Sequence, residues 1–186
     1  GSSEVGRRLG ELCGRNLQSP CLELGGKNPL VVMSDAELDL AVEGALFSGF
    51  GTAGQRCTSL GTVIVHERVH DEFLSRFANA VETAAIGDPF EDVLYGPMVS
   101  SRFFVRFLGG PDWEQPHHVL SGSSGTGRIT RDNPRAGFVG DPEAGLFVHP
   151  TIVDGIRPDD DLYFTETFGP LVGVGTFATM DEAIAL

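Results

Sequence analysis

Hydrophobic and polar positions along the chain switch repeatedly between helical and strand spacing, and the switches mark the elements. Val5, Leu9 and Leu12, with Leu17 behind them, recur on one side directly after Gly1-Ser2-Ser3, so a helix is predicted from the first residues. Cys21-Leu22-Glu23-Leu24 is short and strand-like, and Gly25-Gly26-Lys27-Asn28-Pro29 breaks it sharply. Leu30-Val31-Val32-Met33 is fully apolar, the pattern of a strand buried inside a parallel sheet. Ser34-Asp35-Ala36-Glu37 has the form of a capping box and opens a helix with Leu38, Ala41, Val42, Ala45 and Leu46 at helical spacing. Gly61 to His66 is a strand. Val69 to Ala85 is an amphipathic helix with Phe73, Leu74, Phe77, Val81 and Ala84 inward. Ser100 to Leu108 predicts a further helix, Phe147 to Val153 a strand across His149-Pro150, Leu171 to Val174 a strand, and Thr179 to Leu186 an unfinished helix. Strands alternating with helices predict an α/β fold with a parallel sheet.

Between Gly109 and Gly145 this order decays into Gly, Ser, Pro, Arg and His, and Ser121-Gly122-Ser123-Ser124-Gly125-Thr126-Gly127 is the candidate for a mobile surface segment. Asp159-Asp160-Asp161 reads as a solvated turn rather than a metal site. No metal ligand set is predicted.

The chain has 186 residues, enough for one domain or a large part of one, and buries enough surface to need neither disulfides nor metal. A net charge of −13 speaks against a nucleic-acid partner, which requires clustered Lys and Arg. Cys13, Cys21 and Cys57 match no zinc or disulfide spacing, and their odd number favours a reducing compartment. No apolar run reaches the roughly 18 residues of a membrane span, and no leader pattern precedes the first helix, so a cytosolic protein without membrane contact is expected.

The stretch that organises the chemistry is Phe50-Gly51-Thr52-Ala53-Gly54-Gln55-Arg56-Cys57-Thr58-Ser59, which sets a cysteine at the end of a predicted helix and before a strand. A thiol attacks carbon as the thiolate, and an ordinary cysteine is only roughly a few per cent ionised at neutral pH. A nucleophile therefore needs N–H groups or a helix pole beside it. Gly51 and Gly54 permit close approach of backbone and substrate. The alternative is a small buried thiol in a turn. Gly1-Ser2-Ser3 carries two readings as well, a cloning scar or a small-residue turn offering N–H groups to an anion at a helix N-terminus. His66 and His70 flank the strand after Cys57 at spacings that place neither beside the thiol.

Leu22-Glu23-Leu24-Gly25-Gly26-Lys27-Asn28-Pro29, Gly54-Gln55-Arg56-Cys57-Thr58 and Glu166-Thr167-Phe168-Gly169-Pro170, in this order, resemble the NAD(P)-dependent aldehyde dehydrogenase superfamily. Gly1-Ser2-Ser3-Glu4-Val5-Gly6 is similar to the family's Gly-Ser-Thr-x-x-Gly turn against the cofactor, which favours native sequence over a scar. The resemblance implies a parallel-sheet catalytic domain, incomplete at both ends. Residues 1–24 would close the cofactor-binding domain and cross over, and residues 25–186 would belong to the catalytic domain. It implies Cys57 as nucleophile, forming a thiohemiacetal and then a thioester, and Glu23 as the base for thioester hydrolysis. Gly1, Ser2, Leu24, Glu166 and Phe168 would meet NAD or NADP, with Glu166 on the nicotinamide ribose and Phe168 beside the ring. Lys27 would stabilise the turn after Glu23. The N–H of Cys57 would be one oxyanion donor, and an asparagine outside this chain the other. The substrate would be an aldehyde and the full-length protein a homo-oligomer. The competing readings are a cofactor-independent thiol esterase and an inactive fragment that packs on a missing half.

Overall fold

The computed structural model describes residues 1–110, 115–121 and 126–186. Five strands form the main sheet: β1 (Asn28–Val32), β2 (Leu60–His66), β4 (Val119–Ser121), β6 (Thr151–Asp154) and β7 (Leu171–Phe177), in the order β1-β2-β7-β6-β4. All neighbours are parallel except β4, which runs antiparallel to β6 on one edge. β3 (Ile86–Gly87) and β5 (Phe138–Val139) form a separate two-stranded parallel pair. The α/β class with a parallel sheet is as predicted.

β2 and β7 lie at the centre and are buried along nearly their whole length. Side chains alternate across a strand, and β7 shows what each face receives. Val172 meets Gly49 of α2 (Leu38–Phe50), whereas Gly173 and Gly175 leave room for Ile156 on the opposite side. α2 packs in turn on α3 (His70–Thr83), where Phe50, Phe73 and Phe77 meet with ring centroids 5.5–5.9 Å apart. The first helix, α1 (Ser3–Arg15), is capped by Ser2, whose hydroxyl accepts the N–H of Val5. Next to the site run α4 (Ser101–Leu108) and the single turn α5 (Asp161–Phe164), and α6 (Met180–Ala185) follows β7. Among the described residues no helix is long and apolar enough to cross a membrane.

Several local expectations are corrected. Cys21–Leu24 has no regular secondary structure and joins no sheet among the described residues, because an apolar alternation cannot say whether a neighbouring strand exists. β1 forms as predicted, yet among the described residues it is an edge strand bonded only to β2, and Val31 is 44% exposed. Ser34-Asp35-Ala36-Glu37 makes no capping box. Residues 34–36 form a turn closed by Ala36 N–H on the Met33 carbonyl (3.1 Å), so α2 begins at Leu38, with Glu37 at the cap position. Leu17 lies beyond the end of α1 and is 97% exposed, not part of its stripe. The strand at 147–153 begins at Thr151, because Val148 pairs instead with Arg128 and His149 is turned inward. Asp159 and Asp161 are exposed, but Asp160 is not a solvated turn residue, since its carboxylate pairs with His117 and His118. The proposed mobile segment Ser121–Gly127 falls mostly outside the described residues.

The 109–145 stretch also supplies a structural cation. Arg135 is buried and its guanidinium donates to the carbonyls of Val81 (2.6 Å), Glu82 (3.0 Å) and Ala84 (3.3 Å), capping the end of α3. Hydrogen bonds from a charged donor are worth about 1.5–3 kcal/mol each, and losing them here orphans helix carbonyls. Arg135→Met is therefore expected to lower the unfolding free energy by about 3 kcal/mol, measured by urea denaturation of the purified protein at constant pH. An unchanged midpoint would show that water replaces the guanidinium freely.

Candidate active site

α2 ends at Phe50, and the chain then passes through Thr52, Ala53 and Gly54 at φ 59°, 55° and 66°, three successive residues in the left-handed region. This costs roughly 1–2 kcal/mol per non-glycine residue and persists only where the surroundings enforce it. Gly54 is enforced by contact, because a Cβ there would stand 2.3 Å from the carbonyl oxygen of Gly169. The cysteine loop and the Glu166–Pro170 loop thus touch backbone to backbone. Cys57 is not at the helix end as the sequence implied. The left-handed turn carries it into the next turn, closed by Ser59 N–H on the Arg56 carbonyl (3.0 Å), away from the negative pole of α2.

The Gly-Gly-Lys-Asn segment holds the same loop from the other side. Asn28 Nδ2 donates to the carbonyls of Cys57 and Ser59, each at 2.8 Å, and so fastens the cysteine turn to β1. Gln55 accepts Val99 N–H through Oε1 (2.9 Å), and the Arg56 guanidinium lies 5.4 Å from the Phe47 ring centre. The Cys57 Sγ is left exposed, and its N–H meets no acceptor among the described residues.

Gly1, Ser2, Cys57, Glu166 and Phe168 line one cavity of about 410 Å³, closed by Arg102, Phe103 and Arg106 of α4. Phe168 has φ 50°, a second strained non-glycine residue at the same place, and its ring stacks at 5.3 Å on Phe103. Glu23 and Leu24 do not line this cavity. Leu24 packs on the bare Cα of Gly6, while the Gly1 nitrogen donates to the Glu23 carbonyl (2.5 Å), which holds the Glu23 main chain beside the cavity. The Glu23 carboxylate is exposed and has no partner among the described residues. His66 and His70 lie elsewhere, as expected. His66 Nδ1 accepts Arg68 N–H and His70 is held by Asp154 and Asp71. Sequence reasoning missed Asn28 and the three α4 residues. The signal for α4 was present in Arg102 and Arg106, one turn apart in an acidic chain.

Glu166 and Lys27 form the least satisfied part of the site. The Glu166 carboxylate fits against Gly25, where a Cβ would fall 2.1 Å from Oε2, and its Oε1 is buried with no hydrogen-bond partner. The Lys27 stem crosses Gly61 and its Nζ is also buried without a partner. Burial holds the Lys27 ammonium down to about 8, against the opposing pull of the Glu166 charge. The folded chain therefore releases this proton near pH 8 and the unfolded chain at 10.5. Between those values the unfolded state binds more protons, so stability rises with pH. Below pH 8 the full cost of the buried charge is present, on the order of 3 kcal/mol. Lys27→Met is expected to remove the rise between pH 8 and 10.5, read as urea midpoints across that window. A parallel rise in native protein and variant would assign it to other groups.

The cavity thus joins a carboxylate with an unpartnered oxygen, two aromatic rings and a cysteine. A family model described as "Aldehyde dehydrogenase family" matches residues 1–186. The chain belongs to the aldehyde dehydrogenase family. It is 35% identical over 186 residues to the alpha-aminoadipic semialdehyde dehydrogenase of Bos taurus, covering 100% of this chain and 32% of that protein. It is 34% identical over 187 residues to the peroxisomal aminoaldehyde dehydrogenase 2 of Pisum sativum, covering 100% of this chain and 35% of the relative. Among solved structures, betaine aldehyde dehydrogenase of Staphylococcus aureus in complex with NAD+ superposes with a TM-score of 0.85 at 28% identity, covering 99% of this chain and 35% of that one. This aldehyde dehydrogenase chain thus spans about a third of the length of the relatives it matches.

Proposed function

We propose that the chain carries the thiol site of an enzyme that oxidises an aldehyde to a carboxylic acid with NAD or NADP. The observation that supports it is the shared cavity of about 410 Å³, which Cys57, Glu166 and Phe168 all line. Cys57 Sγ attacks the aldehyde carbon, and the oxygen that gains charge is met by the unoccupied N–H of Cys57. NAD or NADP held in this cavity would supply the acceptor for the hydride lost from the thiohemiacetal carbon. Glu166, whose Oε1 is buried and unpartnered and whose carboxylate has room against Gly25, would hold the cofactor by accepting a ribose hydroxyl. Phe168 and Phe103 would shield a nicotinamide ring from water, and Gly1 and Ser2 would complete the lining around the cofactor. The guanidiniums of Arg102 and Arg106 favour an anionic ligand there. Glu23, with its main chain fixed and its carboxylate free, turns in to take the proton from the water that cleaves the thioester. An aldehyde as substrate, a homo-oligomer and a cytosolic location belong to the same proposal.

The test is to mix the purified full-length protein with aliphatic and aromatic aldehydes and NAD or NADP, and to follow the absorbance of the reduced cofactor. Reduction with at least one pair is expected. Failure across a broad panel with both cofactors would sink the reading, and ester cleavage lost on Cys57→Ala would replace it with a thiol esterase.

A further inference from the structure

His117 and His118 precede β4, Asp160 precedes α5, and the fold brings the three together, with His117 lining a cavity other than that of Cys57. His117 Nε2 lies 3.1 Å from Asp160 Oδ1, and His118 Nε2 lies 2.9 Å from Oδ2. The two rings meet edge to face with centroids 4.5 Å apart, and one ligand atom from each residue falls within 4.8 Å of the others. The cluster is enclosed, with the His118 side chain 1% and the Asp160 side chain 8% exposed. The Arg157 N–H donates to Asp160 Oδ2 at 2.6 Å and fixes the carboxylate. A tetrahedral ion with bonds of about 2.0–2.1 Å sets its ligand atoms about 3.3 Å apart. The two histidine–carboxylate edges are already within a few tenths of an ångström of that spacing.

We propose that His117, His118 and Asp160 form a site for a divalent transition-metal ion, with Zn²⁺ the cation that two imidazoles and one carboxylate best match. Calcium and magnesium are disfavoured, because both demand mainly oxygen ligands. Each Nε2 that donates to the carboxylate gives up that proton before its lone pair binds metal. The proton passes to Nδ1 of a neutral ring, or to water from a charged one. With three protein ligands among the described residues, a tetrahedral ion keeps a position for water or a small ligand. His117 also lines a cavity of about 520 Å³ with His70 and Asp154, so that position has space beside it. The ion would tie the approach to β4 to the turn that leads through α5 to Glu166.

The purified protein, stripped with EDTA and dialysed, is titrated with Co²⁺ as a visible probe and then with Zn²⁺. One ion per chain is expected, with d–d bands of a nitrogen and oxygen ligand set, no thiolate charge-transfer band, and displacement by Zn²⁺. His117→Gln, which alters the more exposed of the two rings, and Asp160→Asn are each expected to weaken binding more than about 100-fold, beyond the loss typical for an outer partner of a ligand. Circular dichroism checks that the variants fold. A variant with Cys13, Cys21 and Cys57 all changed to Ser should bind as the native protein does. Binding that survives His117→Gln and Asp160→Asn, that disappears with the cysteines, or that is absent from the native protein at submillimolar metal overturns the proposal. The cobalt spectrum of unaltered protein decides the ligand set even if a variant misfolds.

Discussion

Replacing Cys57 by Ala is expected to lower kcat for aldehyde oxidation by at least about 10⁴-fold, since a group that forms the covalent intermediate cannot be replaced by its neighbours. The side chain is exposed on a turn, so the fold should tolerate the change, and the urea midpoint should move by less than about 0.5 kcal/mol. The turn is held by other groups, namely Asn28 on the Cys57 and Ser59 carbonyls and Gly54 against Gly169. Activity retained within tenfold would remove Cys57 from the mechanism and leave the cavity as a binding site only. Activity and midpoint lost together would show that the thiol supports the loop.

Glu23→Gln is expected to separate the two halves of the reaction. Acylation of Cys57 and hydride release do not need the carboxylate, so a first burst of reduced cofactor should persist in rapid mixing. Steady turnover should fall by about 10²–10⁴-fold, the usual contribution of a positioned general base. The structure makes this a demanding test, because Glu23 stands outside the cavity and must turn into it. Loss of the burst would mean that Glu23 acts before deacylation. An unchanged steady rate would assign the base to another group.

The fold class, the two central strands and the amphipathic α3 were legible because each depends on a periodicity that burial imposes along the chain. What failed depended on partners that no local pattern names. The Leu30–Met33 run is as apolar as an inner strand, yet it lies at the edge because nothing pairs with its outer side among the described residues. Ser34 and Glu37 have the letters of a capping box, but a turn bonded to Met33 moves the helix start past them. In the site, Cys57, Glu166, Phe168, Gly1 and Ser2 were found through motif order and do share a cavity. Glu23 and Leu24, from the first of those motifs, were not brought to its wall. Asn28 stood in that same motif without declaring what it bonds, and the pairing of Asp160 with His117 and His118 joins residues more than forty positions apart.

The contact between Gly54 and Gly169 bears on how this site can be redesigned. The two glycines are constrained from different sides: a side chain at Gly54 would push the cysteine loop off the Gly169 carbonyl, and one at Gly169 would push the Glu166 loop off the Phe107 ring of α4. A library meant to change which aldehyde enters should leave those two positions fixed, keep Phe103 and Phe107, which pack on Phe168 and Gly169, and spend its diversity on Arg102 and Arg106 of α4, which line the cavity.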